Sequence, residues 1–365
     1  MAEGTTPDDD GLFKSKKVDG RYVIPWADKT RMGFGSVLKW VITETDLSGV
    51  GGTWREGWKF KEEELNRTLP VLEPNFEAIK NPPVDQLQVT WIGHATCLVQ
   101  MNGLNILTDP VFNDYCGMNR LVGVKRFRPV PCTIDQLPQI DAVIISHNHY
   151  DHLDYTTVLE LNRKFPESIH WYVPMGQGDW IKSCGCQNVK EMEWWDQSTH
   201  PTSKGNDVAF IFTPTQHWCK RAATDDNKAL WGSWTIIGPR HRVFFGGDTG
   251  YCDVFKTIGK KYGPFDLAAI PIGAYHPRWF MQFQHVDPQQ AVQIHKDLQA
   301  KTSMAVHWGT FALAYEHYLS PPKELKEAMK SEGIPQSDFI IMKHGETQII
   351  EESISQKDVS FESSI

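Results

Sequence analysis

Residues 146–152 read Ser-His-Asn-His-Tyr-Asp-His, which places three imidazoles and one carboxylate directly behind an apolar run, Ala142-Val143-Ile144-Ile145. Titratable groups crowded in this way at one strand end oppose each other's protonation unless a cation unites them. His147 and His149, two apart on extended chain, can point to one side, and Asp151 and His152 follow where the chain turns and can face a second point. A metal ion takes roughly four or five ligands, so the motif is incomplete by itself. Three later runs each end on a further donor: His217 follows Thr213-Pro214-Thr215-Gln216, Asp248 follows Gly246-Gly247, and His307 follows Val306. Taken singly, each has an ordinary reading as a hydrogen-bonded histidine or a turn aspartate. Taken with the first motif, they complete two three-ligand sites that share one carboxylate. Imidazole and carboxylate donors suit a catalytic site with open positions better than a closed structural one.

Short elements must hold these residues. Phe210-Ile211-Phe212-Thr213, Arg242-Val243-Phe244-Phe245, Ala268-Ala269-Ile270-Pro271-Ile272 and Ser303-Met304-Ala305-Val306 are apolar runs that, like 142–145, stop at polar or turn residues. Continuous apolar runs of this length fit strands buried on both faces, in a sheet covered by helices. Helical patterns at 288–300 and 322–332 interleave with them. The alternation predicts an α/β protein whose ligands gather beyond strand ends.

The whole chain has 365 residues, 40% hydrophobic and 22% charged, which excludes a mainly disordered or fibrous protein. No apolar run is long enough to span a bilayer, and the first thirty residues lack the apolar centre of a secretory signal. A formal charge of −8 argues against nucleic acid as a partner. Seven cysteines without a CxxC pair read as free, buried thiols of a reducing compartment. Texture divides the chain into a polar tail (1–20), a mixed N-terminal extension (21–85), a catalytic domain (86–350) and a C-terminal tail (351–365).

The order HxHxDH, then His, Asp and His, resembles the metallo-β-lactamase superfamily, whose fold is an αβ/βα sandwich of two packed sheets flanked by helices. Trp91-Ile92-Gly93-His94-Ala95-Thr96 and Thr108-Asp109-Pro110 look like the opening strands of that fold. The resemblance implies two zinc ions, one held by His147, His149 and His217, the other by Asp151, His152 and His307, with Asp248 bridging both. Asp109 would support the histidines from behind.

Residues 141–155, 211–234, 245–287 and 303–318 are similar, well beyond ligand spacing, to the N-acylphosphatidylethanolamine-hydrolysing phospholipase D family. That likeness implies hydrolysis of a membrane phospholipid to phosphatidic acid and an N-acylethanolamine, with a metal-bridging hydroxide attacking phosphorus. It also implies substrate contacts from Tyr150 and His285, an amphiphile pocket lined by Lys220 and Ala312, and a homodimer. His285 could act on the phosphate or the leaving oxygen, or simply cap the helix that begins near Asp287.

A lipid substrate requires an interfacial face. Phe34, Val37, Leu38, Val41 and Ile42 recur at helical spacing beside Trp40, which suits either a membrane-facing helix or a core-facing one. An intracellular protein, peripheral on the cytosolic face of a membrane, is the expectation. A soluble di-metal lactonase and a lipid-binding protein with structural metals remain alternatives.

Overall fold

A computed structural model describes residues 11–27, 34–50, 62–118, 121, 123–202 and 207–350. Two seven-stranded sheets form the body. The first runs Val189–Met192, His170–Pro174, Ala142–Ile144, Leu104–Thr108, Thr96–Met101, Leu87–Gly93, Thr347–Ile350 from edge to edge. The second runs Gln197–His200, Val208–Thr213, Ser233–Ile237, Arg242–Phe245, Phe265–Pro271, Ala300–Val306, Phe339–Ile340. Each sheet is parallel over one half and antiparallel over the other.

Side-chain alternation explains the layering. In Ala142–Ile144, Ala142 and Ile144 join the core between the sheets, with Trp91, Ile106, Phe210, Phe212, Trp234, Phe244 and Ile270. Val143 points the other way, into an outer layer with Val158 and Leu161 of the helix Tyr155–Lys164. Both faces are covered, and this is why the runs are continuously apolar. Helices Val254–Tyr262, Pro288–Asp297 and Ser320–Ser331 contribute Phe255, Val292 and Leu325 to the same body. The expected sandwich of two packed sheets flanked by helices is therefore present.

The polar tail expected over 1–20 is not free from Leu12 onward. Lys16–Val18 pairs with Arg21–Val23, Tyr22 N donates to Asn227 O at 2.7 Å, and Trp195 Nε1 donates to Phe13 O at 2.9 Å. Apolar Leu12, Phe13 and Trp26 anchor a segment whose lysines and aspartates made it read as solvent-borne. Residues 1–10 and the C-terminal tail 351–365 lie outside the described residues.

Helix Phe34–Thr43 forms where the apolar spacing predicts it. Its Trp40 stacks on Phe280, ring centroids 4.8 Å apart, whereas Ile42 is 65% exposed. The side chains of Phe34, Val37, Leu38 and Val41 lie outside what the structure describes. All seven cysteines are buried and free. No described helix is long and apolar enough to cross a membrane.

Candidate metal centre

The predicted donors meet where the two sheets abut, at the C-terminal ends of four strands. Behind Ala142–Ile144, Ser146 N donates to Asp109 Oδ1 at 2.7 Å, which fixes the start of the histidine loop. Asp154 closes that loop by accepting from Thr157 N at 2.8 Å, capping the next helix. Asp248 follows Gly246-Gly247, and Gly247 is obligatory. It has φ +56°, and a Cβ there would sit 2.5 Å from Ser146 Cβ. His307 turns off Ala300–Val306 at φ +61°.

Two donor groups result. In the first, His149 Nδ1 lies 2.8 Å from His147 Nε2 and 3.2 Å from His217 Nε2. Asp248 Oδ2 lies 3.9 Å from His147 Nε2 and 3.7 Å from His217 Nε2. In the second, Asp151 Oδ2 is 3.2 Å from His152 Nε2 and 3.4 Å from His307 Nε2. Asp248 reaches this group as well, 3.0 Å from His307 Nε2 and 3.3 Å from His152 Nε2. Ligands about 2.0–2.1 Å from one tetrahedral ion stand about 3.3 Å from each other, so both groups have the spacing of ion ligands. Asp248 Oδ1, His152 Nε2 and His307 Nε2 are buried and make no well-directed hydrogen bond among the described residues, as expected of atoms meant for a cation. The residues present fit a pair of divalent ions.

The outer partners are built in. His152 Nδ1 donates to Asp109 Oδ2 at 2.7 Å, His217 Nδ1 to Gln284 O at 3.0 Å, and Ser146 Oγ lies 2.9 Å from His147 Nδ1. Such contacts fix ring orientation and tautomer.

Electrostatics sort the donors. Burial lowers His149 to about 4 and His217 and His285 to about 3, and, with neighbouring imidazoles, holds His147 well below its usual range. These rings are neutral, the ligating form. Burial opposes charge on His152 and His307, but the carboxylates of Asp248 and Asp151 outweigh it. His307 rises to about 9 and His152 also rises well above normal. The same imidazoles, against burial, keep Asp151 and Asp248 well below the carboxylate range.

A cavity of about 540 Å³ opens onto His149, Asp151, His217, Asp248 and His285. Its remaining wall is largely apolar, with Trp40, Met118, Trp218, Phe280, Met281 and Leu313. His285 Nδ1 stands 3.8 Å from Asp248 Oδ2. Tyr150 also lines this cavity, but its hydroxyl donates to Arg221 O at 2.7 Å. A larger groove of about 820 Å³ lies beyond Tyr150 and Arg221 and touches no metal donor.

Lys220 and Ala312 are not among the residues lining the 540 Å³ cavity. Lys220 Nζ pairs with Asp226 Oδ1 at 3.1 Å, and Ala312 lines a small cavity beside His307.

Two residues of the site escape sequence reasoning. His94 Nε2 lies 2.9 Å from Asp151 Oδ2, inside the second donor group. Its only signal is Gly93-His94 at the end of the strand Leu87–Gly93. Arg221 spans the loop, donating to Asn148 O at 3.0 Å and to Leu153 O, with its guanidinium between the rings of Tyr150 and Trp180. Nothing in the spacing announces it.

The family profile described as Beta-lactamase superfamily domain matches residues 104–308, more than half the chain. A Caenorhabditis elegans protein named N-acyl-phosphatidylethanolamine-hydrolyzing phospholipase D 1 is 40% identical over 324 residues, 87% of this chain and 88% of its own length. A mitochondrial protein of Saccharomyces cerevisiae with the same activity in its name is 39% identical over 241 residues, 65% of this chain and 50% of its own. Among solved structures, the metallo-hydrolase Igni18 of Ignicoccus hospitalis is 21% identical with a TM-score of 0.54, covering 73% of this chain and all of its own. An isothiocyanate hydrolase from Delia radicum gut bacteria is 19% identical with a TM-score of 0.55, covering 72% of this chain and 98% of its own. The structural likenesses show a shared fold and nothing narrower.

Proposed function

Because the chain belongs to the N-acylphosphatidylethanolamine-hydrolysing phospholipase D family of the metallo-β-lactamase superfamily, we propose that it cleaves N-acylphosphatidylethanolamine into an N-acylethanolamine and phosphatidic acid, using two zinc ions. At the coarser level it is a metal-dependent hydrolase of phospholipase D type. The observation that carries the narrower reading is the cavity: metal donors form its floor and an apolar wall of Trp40, Phe280, Met281 and Leu313 rises beside them. A phosphodiester could meet the floor while an acyl chain lies along the wall.

His147, His149, His217 and Asp248 would hold one ion, and Asp151, His152, His307 and Asp248 the other. Such a pair of ions supplies an activated water and a charge clamp for the phosphate oxygens. The chain's own residues do the rest. Asp248 ties the two donor groups together. Asp109, Gln284 O and Ser146 lock three imidazole rings. His285, neutral and beside Asp248, is placed to donate a hydrogen bond to a phosphate or leaving oxygen. Tyr150 supports the wall through its ring.

Membrane contact fits the exposed Ile42 and Met118, 65% and 66% accessible, near the cavity residues Trp40 and Gly117. The reading further holds that the protein is intracellular, peripheral on a cytosolic membrane face, and a homodimer; sedimentation of the metal-loaded protein checks the last. The principal test is incubation with mixed phospholipid vesicles and mass spectrometry of the products. Phosphatidic acid and N-acylethanolamine in equal amounts are expected. Free fatty acid with a lysophospholipid, or no turnover of any phospholipid, contradicts the proposal.

A further inference from the structure

We propose that Ser48 is a positioning residue of the metal centre. Its hydroxyl, with buried water, takes the Nδ1 proton of His307 and passes a hydrogen bond on to Nδ1 of His94, which in turn holds Asp151. The inference rests on the two-ion reading and extends it from the donors to what stands behind them.

Four of the donor histidines present Nε2 to the site, and three of these have a protein partner on Nδ1. His152 Nδ1 donates to Asp109 Oδ2 at 2.7 Å, His217 Nδ1 donates to Gln284 O at 3.0 Å, and His147 Nδ1 lies 2.9 Å from Ser146 Oγ. His307 Nδ1 is buried and has no partner among the described residues. A ligand imidazole without that outer partner has neither its tautomer nor its ring angle fixed. His307 lines a cavity of about 30 Å³ together with His94, Trp308 and Ser48. His94 Nδ1, Trp308 Nε1 and Ser48 Oγ are also buried and unpartnered among the described residues. Four such polar atoms around one small space are what a bound water requires, and the volume holds about two.

The proton positions are complementary. His94 Nε2 stands 2.9 Å from Asp151 Oδ2, so the ring proton lies there and Nδ1 is a bare acceptor. His307 Nε2 faces Asp248 Oδ1 at 3.0 Å and Asp151 Oδ2 at 3.4 Å, the side on which an ion is held. Its Nδ1 therefore carries the proton and is a donor. The two rings pack with centroids 4.1 Å apart. A hydroxyl both accepts and donates, so Ser48 and water join the donor to the acceptor. The chain closes a circuit, from Asp151 through His94, Ser48 and His307 to the ion that Asp151 and His307 would share.

Ser48 belongs to the N-terminal extension, just beyond the helix Phe34–Thr43, and its backbone is fastened in place. Ser48 N donates to Asp46 Oδ1 at 2.9 Å, Tyr318 N donates to Ser48 O at 3.0 Å, and Leu47 N donates to Tyr315 O at 3.1 Å. Gly49, at φ +73°, lies so close to His317 that a Cβ would stand 2.6 Å from its ring. The extension is thus part of the metal centre and not only a route to a membrane.

A matched pair of variants separates the hydroxyl from its volume. Ser48→Thr keeps the hydroxyl, and Ser48→Val puts a methyl group in its place. Competition with a chelator should show one of the two ions bound about 10–100-fold more weakly in Ser48→Val and near wild type in Ser48→Thr, with the other ion unchanged in both. Equal affinities in the two variants would overturn the proposal. If either variant does not fold, a crystal structure of the zinc-loaded wild-type protein decides the matter. Water linking Ser48 Oγ to His307 Nδ1 is expected, and a cavity without it would overturn the chain. Fewer than two ions by elemental analysis would overturn the two-ion reading, while water between Ser48 and His307 would still decide the role of Ser48.

Discussion

Asp248 brings the two donor groups within one carboxylate of each other, 3.0 Å from His307 Nε2 on one side and 3.7 Å from His217 Nε2 on the other. Asp248→Asn keeps the shape and removes the charge, leaving His152 and His307 each without one of their carboxylate neighbours. Elemental analysis should find fewer than two ions per chain, with activity down by about 100-fold or more; retention of both ions and of turnover would mean that the carboxylate does not bridge. Loading should also release protons. In the metal-free protein His307, raised to about 9, and His152, also raised, hold protons at neutral pH that a ligand must give up. About two protons per chain should appear on loading at pH 7, by calorimetry in buffers of different ionisation enthalpy. The sign follows from linkage. The folded-state value for His307 lies above the unfolded one, so its contribution to metal-free stability is full below about 6.5 and lost as pH rises through about 9. The thermal unfolding temperature of the metal-free protein should therefore fall over that window while metal affinity increases. An affinity flat from pH 6.5 to 9 would contradict the assignment. These donors are legible in the amino-acid sequence because HxHxDH and three strand-end residues are matters of type and spacing. His94 is not, since its role depends on a left-handed backbone and on Thr310, some two hundred residues away.

The histidine loop is held from outside by Arg221, which is partly buried, donates to two carbonyls of the loop and lies between two aromatic rings. Arg221→Met should cost about 1.5–3 kcal/mol of stability, the range for hydrogen bonds to a charged group. Because the loop carries four donors, metal content should fall with it; unchanged unfolding temperature and metal content would show that the loop needs no clamp. Helix Phe34–Thr43 makes a different contribution. Trp40 reaches the cavity and stacks on Phe280, while Ile42 and nearby Leu47 are exposed. Ile42→Glu with Leu47→Glu should abolish co-flotation with anionic vesicles and leave turnover of detergent-dispersed substrate largely intact. Vesicle binding that survives both charges would remove this helix from the interface. Strand runs such as Phe210–Thr213 and Arg242–Phe245 can be read from sequence because burial on both faces leaves a continuous apolar signature. The anchoring of residues 12–26 cannot, because it depends on partners such as Asn227 and Trp195 far along the chain.

Two half-parallel sheets place every donor at one edge of the sandwich, so the whole molecule is a scaffold that delivers strand ends to one point. Apolar periodicity announces strands and helices but not their order across the sheets, which is set by pairings between residues as distant as Thr90 and Thr347. Fold and family together make direct displacement by water the expected chemistry. None of the fourteen histidines has a lysine two residues later, so the His-x-Lys nucleophile of the other common phospholipase D type is absent. With no covalent intermediate to intercept, added ethanol should yield little phosphatidylethanol. The most direct test is turnover of N-acylphosphatidylethanolamine in ¹⁸O-labelled water, followed by mass spectrometry of both products. The label should appear in phosphatidic acid and be absent from the N-acylethanolamine, because water attacks phosphorus and the ethanolamine oxygen leaves intact. Label in the N-acylethanolamine would place the attack at carbon and contradict the account.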